Sequence, residues 1–215
     1  MTPREPLTRD RVIAAAFELA DAEGVHALSM RKVGQRLGVE AMSLYNHVAN
    51  KDDMLDGMVE AVLSEIAIPS PEDEWKDAMR RRASSAREVF LRHPWAMGLL
   101  ESRPQNSSPQ RLTYYDAVLG ALRDAGFDTL LAMRAFSVLD AYIFGFILQE
   151  LSLVFDDQES LEEVGEDLMR QMADAYPHLT EVTAQVMTEG YDFAEEFRFG
   201  LDVIIESFEA RRDAG

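Results

Sequence analysis

The segment RKVGQRLGVEAMSLYNHVANK, Arg31 to Lys51, decides how this chain reads. It holds four basic side chains, Arg31, Lys32, Arg36 and Lys51, against a single acid, Glu40. The chain around it is acidic, with a formal net charge of -18 over 215 residues. Residues 1–51 contain seven Lys or Arg and six Asp or Glu, a net of +1, while residues 52–215 contain 14 against 33, a net of -19. Such asymmetry suggests that the two parts meet different partners, and phosphate neutralisation explains a segment kept locally basic. The acidic remainder reads as a solvated surface that keeps the protein soluble.

Working outward, the local pattern is helical. Val12, Ala16 and Leu19, with Ile13, Phe17 and Ala20, recur at helical spacing between Thr8, a fitting N-cap, and Gly24, a C-terminal stop. Ser29 caps a short helix over Met30–Leu37 that Gly38 ends, and a second short helix covers Ala41–His47. Asn50 then caps a longer helix, Asp53 accepting from the open N–H groups of its first turn. Leu55, Met58, Val59, Val62, Leu63 and Ile66 form the apolar face of that helix. Pro69 and Pro71 mark a boundary, giving a portion over 1–66 and another over 67–215. Beyond them helices are expected near 74–92, 95–101, 110–125, 129–155, 158–174 and 180–211, the last interrupted near Gly190. No alternating strand-like run of useful length occurs, so the expected fold class is all-α.

Composition narrows the function. Cysteine is absent, which removes disulfides, thiol nucleophiles and thiolate metal sites and is compatible with a reducing cytoplasm. Asp140 and Glu150 interrupt the most apolar segment, FSVLDAYIFGFILQELSLVF, so it reads as a buried helix rather than a membrane span. There is no Gly-rich phosphate loop, nucleophile elbow or paired-histidine zinc motif, and the four histidines are scattered. The expectation is a non-enzyme without a metal or cofactor. Phe193, Phe197, Leu201, Ile204 and Phe208 line one apolar stripe, and with the Met133–Phe155 segment they call for burial on more than one side, by packing within the chain or, more naturally, by a homodimer interface.

Two short helices around a glycine turn match the helix-turn-helix plan, whose second helix enters the major groove of duplex DNA. Leu28, Val33, Leu37, Val39 and Leu44 are spaced to build its small core. Gly38 supplies the reversal, and Gly34 lets the helices approach. Arg31, Lys32, Arg36, Ser43, Tyr45, Asn46, His47 and Lys51 remain as donors for phosphates and base edges. Tyr45 and His47 also suit packing between helices, and Arg36 suits a solvated surface.

The same residues carry a family resemblance. LSMRKVGQRLGVEAMSLYNHVANKDDMLDGM resembles the N-terminal region of TetR-type repressors, and EWKDAMRRRA, ESRPQ and FRFGLDVIIESFEA extend the similarity into the tetracycline-repressor subgroup. The resemblance implies a DNA-binding head on a helical core that dimerises and binds an inducer. It implies that Arg31, Tyr45, His47 and Lys51 meet DNA, mostly its backbone, and that Ser43 and Asn46 meet base edges. Ala41 and Met42 stand where the subgroup has glutamine and proline; they can meet a thymine methyl but make no bidentate base contact. In the core, Leu99 and Gln149 stand where the subgroup holds its metal-chelated inducer through a histidine and a glutamate, and leucine offers a hard dication no oxygen. Arg82 stands at an asparagine, Val118 and Ala67 at further pocket positions, and Ser102–Pro104 match a Thr-Arg-Pro turn.

The expected effector site is therefore metal-free and largely apolar. Phe90, Trp95, Met97, Leu100, Met133, Phe136, Tyr142 and Phe146 are its candidate walls, and Arg82, Arg103 and Gln149 its polar anchors. Together these observations point to a ligand-responsive repressor that binds a palindromic operator on double-stranded DNA as a homodimer. The alternatives are a helical ligand-binding protein or enzyme without DNA function, and an adaptor using the head for protein partners.

Overall fold

The computed structural model of the chain describes residues 6–103, 108–152 and 175–214. Its helices are α1 (Arg9–Glu23), α2 (Met30–Leu37), α3 (Ala41–Leu44), α4 (Lys51–Glu65), α5 (Trp75–Arg92), α6 (Trp95–Ser102), α7 (Pro109–Asp124), α8 (Thr129–Ser152), α9 (Pro177–Glu189) and α10 (Phe193–Asp213). No strand occurs among the described residues, and the fold class is all-α. The chain divides into two compact units, one running to Phe136 and one from Ser137, so that the division falls within α8. The expected helix over 158–174, the end of the one expected over 129–155, and Pro104 lie outside the described residues.

Local chemistry sets most helix ends. Thr8 Oγ1 accepts from Arg11 N at 3.3 Å, Ser29 Oγ from Lys32 N at 3.3 Å, and Asn50 Oδ1 from Asp53 N at 2.9 Å. Asp53 reciprocates by accepting from the N–H of Ala49, one residue before the cap, at 2.7 Å, a close variant of the capping box on α4. That bond, reinforced by the Arg9 guanidinium, holds the Asp53 carboxyl below the usual carboxylate range. Gly38 ends α2 at φ 66°, a left-handed conformation that a side chain would strain.

Two boundaries differ from the sequence reading. The helix expected to reach His47 is α-helical only through Leu44, because His47 N bonds to Leu44 O at 2.9 Å and the chain tightens into turns. The last expected helix is interrupted at Gly190, as the sequence indicates, but its first part starts at Pro177 rather than near residue 180. α9 begins early because proline is tolerated in a first turn, and Gly190 at φ 83° ends it before α10.

In the first unit, Val12, Ala16, Leu19, Leu28, Val33, Leu44, Val48, Met54 and Met58 form the core of the N-terminal helices, with Leu37 and Val39 packed at its edge. Each larger side chain buried there contributes about 1.5–3 kcal/mol. α4 is the hub, packing on α1, α5, α6 and α7. At its crossing with α1, a Cβ on Gly57 would collide with the Ile13 side chain, so glycine allows that approach.

In the second unit, Leu139, Ile143 and Ile147 of α8 are buried, as are Phe197, Leu201, Ile205 and Phe208 of α10. The buried face of α10 therefore takes in Ile205 and leaves Ile204 at its margin, one residue off the stripe read from sequence. Tyr142 stacks on Phe197 at 5.6 Å and donates its hydroxyl to Phe197 O at 2.9 Å. Burial pushes the phenols of Tyr142 and Tyr191 upward. By length and composition α8 is apolar enough to cross a membrane, although Asp140 and Glu150 lie along it.

Candidate nucleic-acid interface

The head is built so that α3 can turn in only one way. Gly34 of α2 faces the returning chain, where a Cβ would lie 2.9 Å from Val39 O and 3.2 Å from Ala41 N. Val39 N–H bonds back to Gly34 O at 2.9 Å. Leu44 is 0% exposed and Val48 1%, which anchors the inner face of α3 in the core. What points outward follows from the helical period: Met42 is 74% exposed, and Tyr45 and Asn46 are also exposed. Ala41, Ser43 and His47 are half-buried at the flanks.

The basic residues divide by partner. Lys32 Nζ reaches Glu23 of α1 at 2.6 Å, and Arg36 Nη2 reaches Glu18 at 2.6 Å. Exposed pairs like these are worth about 0–1 kcal/mol. Lys51, exposed at the start of α4, donates to Leu28 O at 2.8 Å and ties the loop before α2 to that helix. The Arg31 side chain is exposed and its guanidinium has no ion-pair or hydrogen-bond partner among the described residues. The surface from Arg31 across α3 to Lys51 thus offers an uncommitted guanidinium, a tethered ammonium, two amphipathic rings and an amide, which suits phosphates flanking a base-reading helix.

The residues expected to hold an effector fall into separate groups. Arg82 is 1% exposed and donates Nε to Tyr114 Oη at 2.6 Å. Its guanidinium lies 5.0 Å from the Tyr114 ring centroid and 5.7 Å from that of Phe136. Tyr115 packs edge-on against Phe136 at 5.4 Å, and a cavity of ≈ 340 Å³ lined by Leu63, Ile66, Pro109 and Thr113 opens beside Tyr114. Arg82 and Phe136 therefore come together in an aromatic cluster. Val118 and Phe90 are buried, and Met133 is 52% exposed. Gln149 is exposed on the second unit.

Trp95 and Leu99 of α6, and Arg103 just past its end, sit against the head. Trp95 and Leu99 pack at the edge of the core of α1 to α4. Arg103 Nε meets Asp56 Oδ1 at 2.5 Å, and its Nη2 donates to Asp52 O at 2.9 Å. Asp21 of α1 accepts from Trp95 Nε1 at 2.6 Å and lies 2.7 Å from His93 Nδ1. The sequence reading missed Asp21, Asp52, Asp56 and His93 in this seam. The four-residue spacing of Asp52 and Asp56, which puts both carboxylates on one face of α4, was the available signal.

A glycine-turned pair of short helices that buries one face of the second and exposes Met42, Tyr45 and Asn46 on the other, flanked by Arg31 and Lys51, has the plan of a helix-turn-helix DNA-binding protein. Comparison with known proteins gives the particular family. Residues 12–58 match the family described as bacterial regulatory proteins, tetR family, and residues 68–212 match the tetracyclin repressor-like C-terminal domain. The chain belongs to the TetR family of transcriptional regulators.

It is 32% identical over 205 residues to an HTH-type transcriptional regulator of Saccharopolyspora erythraea, covering 95% of this chain and 85% of that protein. It is 30% identical over 209 residues to the class C tetracycline repressor protein of Escherichia coli, covering 96% and 92%. Among solved structures it resembles the TetR family protein ActR of Streptomyces coelicolor in complex with actinorhodin. The TM-score is 0.80 at 28% identity, covering 97% of this chain and 99% of that one.

Proposed function

We propose that this chain, a ligand-responsive TetR-family repressor, binds a palindromic operator as a homodimer and is released by a small, largely apolar effector carrying an anionic group. Residues 1–66 bind DNA in this reading, residues 67–215 bind the effector and dimerise, and the protein acts in the cytoplasm without catalysing a reaction. The single observation that carries the DNA function is the outward arc of α3 and the turn that follows it, with Leu44 and Val48 buried behind an exposed Met42, Tyr45 and Asn46. Arg31, Lys51, Tyr45 and His47 serve as backbone contacts, and Ser43, Asn46, Met42 and Ala41 face base edges.

Dimerisation is supported by Phe199 and Val203 on α10, 69% and 52% exposed, and by Val138 and Leu148 on α8. A two-fold dimer of helix-turn-helix heads matches half-sites one helical turn, or a multiple, apart. The effector class is supported by Arg82, a buried guanidinium between aromatic rings, which suits an amphipathic or aromatic anion. A resident metal has no place in this reading, since Leu99 supplies no ligand.

The test is a titration of purified protein against the DNA flanking its own gene at two salt concentrations, with mass spectrometry of any co-purified small molecule. Tight, sequence-selective binding that weakens with salt is expected. Absence of selective binding after removal of bound ligand would refute the repressor reading.

A further inference from the structure

The first turn of α3 carries no side chain able to make a bidentate base contact, and this limits what it can recognise. Ala41 and Met42 hold neither donor nor strong acceptor. Met42 is 74% exposed, one of the most exposed large apolar side chains on the protein. It lies two positions before the fully buried Leu44, a rotation of about 200° on a helix, so Met42 stands on the side opposite the core. It cannot turn inward. Leu44 and Val48 hold the helix from behind, and the Gly34–Val39 contact holds its start.

The partner chemistry then follows from the major groove itself. Each base edge there presents hydrogen-bonding groups, and the one apolar group is the C5-methyl of thymine. A methionine side chain laid over a guanine, cytosine or adenine edge would strip water from donors and acceptors without replacing it, which is costly. Laid over a thymine methyl it buries apolar surface on both partners, and its flexible, polarizable thioether adapts to the fit. Lys32 and Arg36, which could otherwise compete for the adjacent edge, are engaged by Glu23 and Glu18.

We infer that Met42 is a specificity-determining residue that reads the methyl group of one thymine in each operator half-site. This rests on the operator-binding reading above. Selection from random-core duplexes with the intact protein identifies the operator, after which each dT is replaced singly by dU, removing only the methyl. One position per half-site is expected to lose about fourfold in affinity, and both together roughly fifteenfold, the worth of one buried methyl each. Met42→Ala, at an exposed position, is expected to fold normally and to bind the dT and dU operators alike at that position.

Selective binding with every dU substitution neutral would overturn the assignment to Met42 while leaving the repressor reading intact. So would a methyl dependence that persists in Met42→Ala. Failure to select any sequence would instead overturn the operator-binding reading and this inference with it.

Discussion

Replacing Gly34 by alanine tests the head at the point where its geometry is tightest. The added Cβ would sit 2.9 Å from Val39 O, 3.2 Å from Ala41 N and 3.3 Å from Ala41 Cα. All three are backbone atoms, so no side-chain rotation relieves the clash. Alanine is favoured over glycine in a helix interior by about 1 kcal/mol, whereas overpacking against an unyielding neighbour costs about 1–3 kcal/mol. With backbone on the far side the upper part of that range applies, and the net expectation is a loss of about 1–2 kcal/mol. For a chain of this length that lowers Tm by roughly 2–8 °C.

Gly120 of α7 supplies the control, because a Cβ there meets nothing within 4 Å. Gly120→Ala is expected to gain up to about 1 kcal/mol from helix propensity alone. Circular-dichroism melts of the two variants should therefore move in opposite directions for the same chemical change. Because relief at Gly34 displaces Ala41 and the start of α3, operator affinity should also fall in Gly34→Ala and stay unchanged in Gly120→Ala. A Gly34→Ala protein that melts at or above the parent temperature would refute the claim that this close approach holds the two helices in register.

Other expectations follow from particular side chains. Arg31→Ala should weaken operator binding and reduce the slope of log affinity against log salt by about 0.9 for each phosphate the guanidinium neutralises. Arg36→Ala, whose guanidinium already rests on Glu18, should leave that slope nearly unchanged; equal slopes in fluorescence-anisotropy titrations would remove Arg31 from its role. Asp53 is held below its ordinary value by the Ala49 N–H and then by Arg9. Its stabilisation is thus full above the unfolded carboxylate value of about 3.9 and is lost as pH falls through the lower folded value. Asp53→Asn should flatten the acid limb of stability, read as urea midpoints between pH 6 and pH 2.5, and an unaltered limb would contradict the assignment. Phe199→Glu, at a position 69% exposed, should shift sedimentation from dimer to monomer without lowering helicity, and a persistent dimer would relocate the interface.

Much of the head was legible in the sequence because its determinants are local. Thr8, Ser29 and Asn50 cap helices three residues or fewer downstream, and Gly38 and Gly190 stop them through backbone conformation. The 3.6-residue period placed Leu44 inward before any packing was known, and the position of Met42 at the start of its helix favoured exposure. The family skeleton in residues 31–51 is similarly short-range, so its pattern survives as a string of characters.

The remainder depended on where helices distant in sequence come to lie, and on rotations of about 100° per residue that no local pattern settles. Lys32 and Arg36 read as free surface cations until α1 delivered Glu23 and Glu18 from nine and eighteen residues away. Arg82 joined Tyr114 across 32 positions, while Arg103 crossed 51 positions to Asp52. From the sequence alone Trp95, Leu99 and Arg103 were read as candidates for an effector site, and no local pattern said which neighbour they would pack against. The rotation of α6 against α4 decided it, since a helix has one face for each neighbour and packing alone selects which residues occupy it.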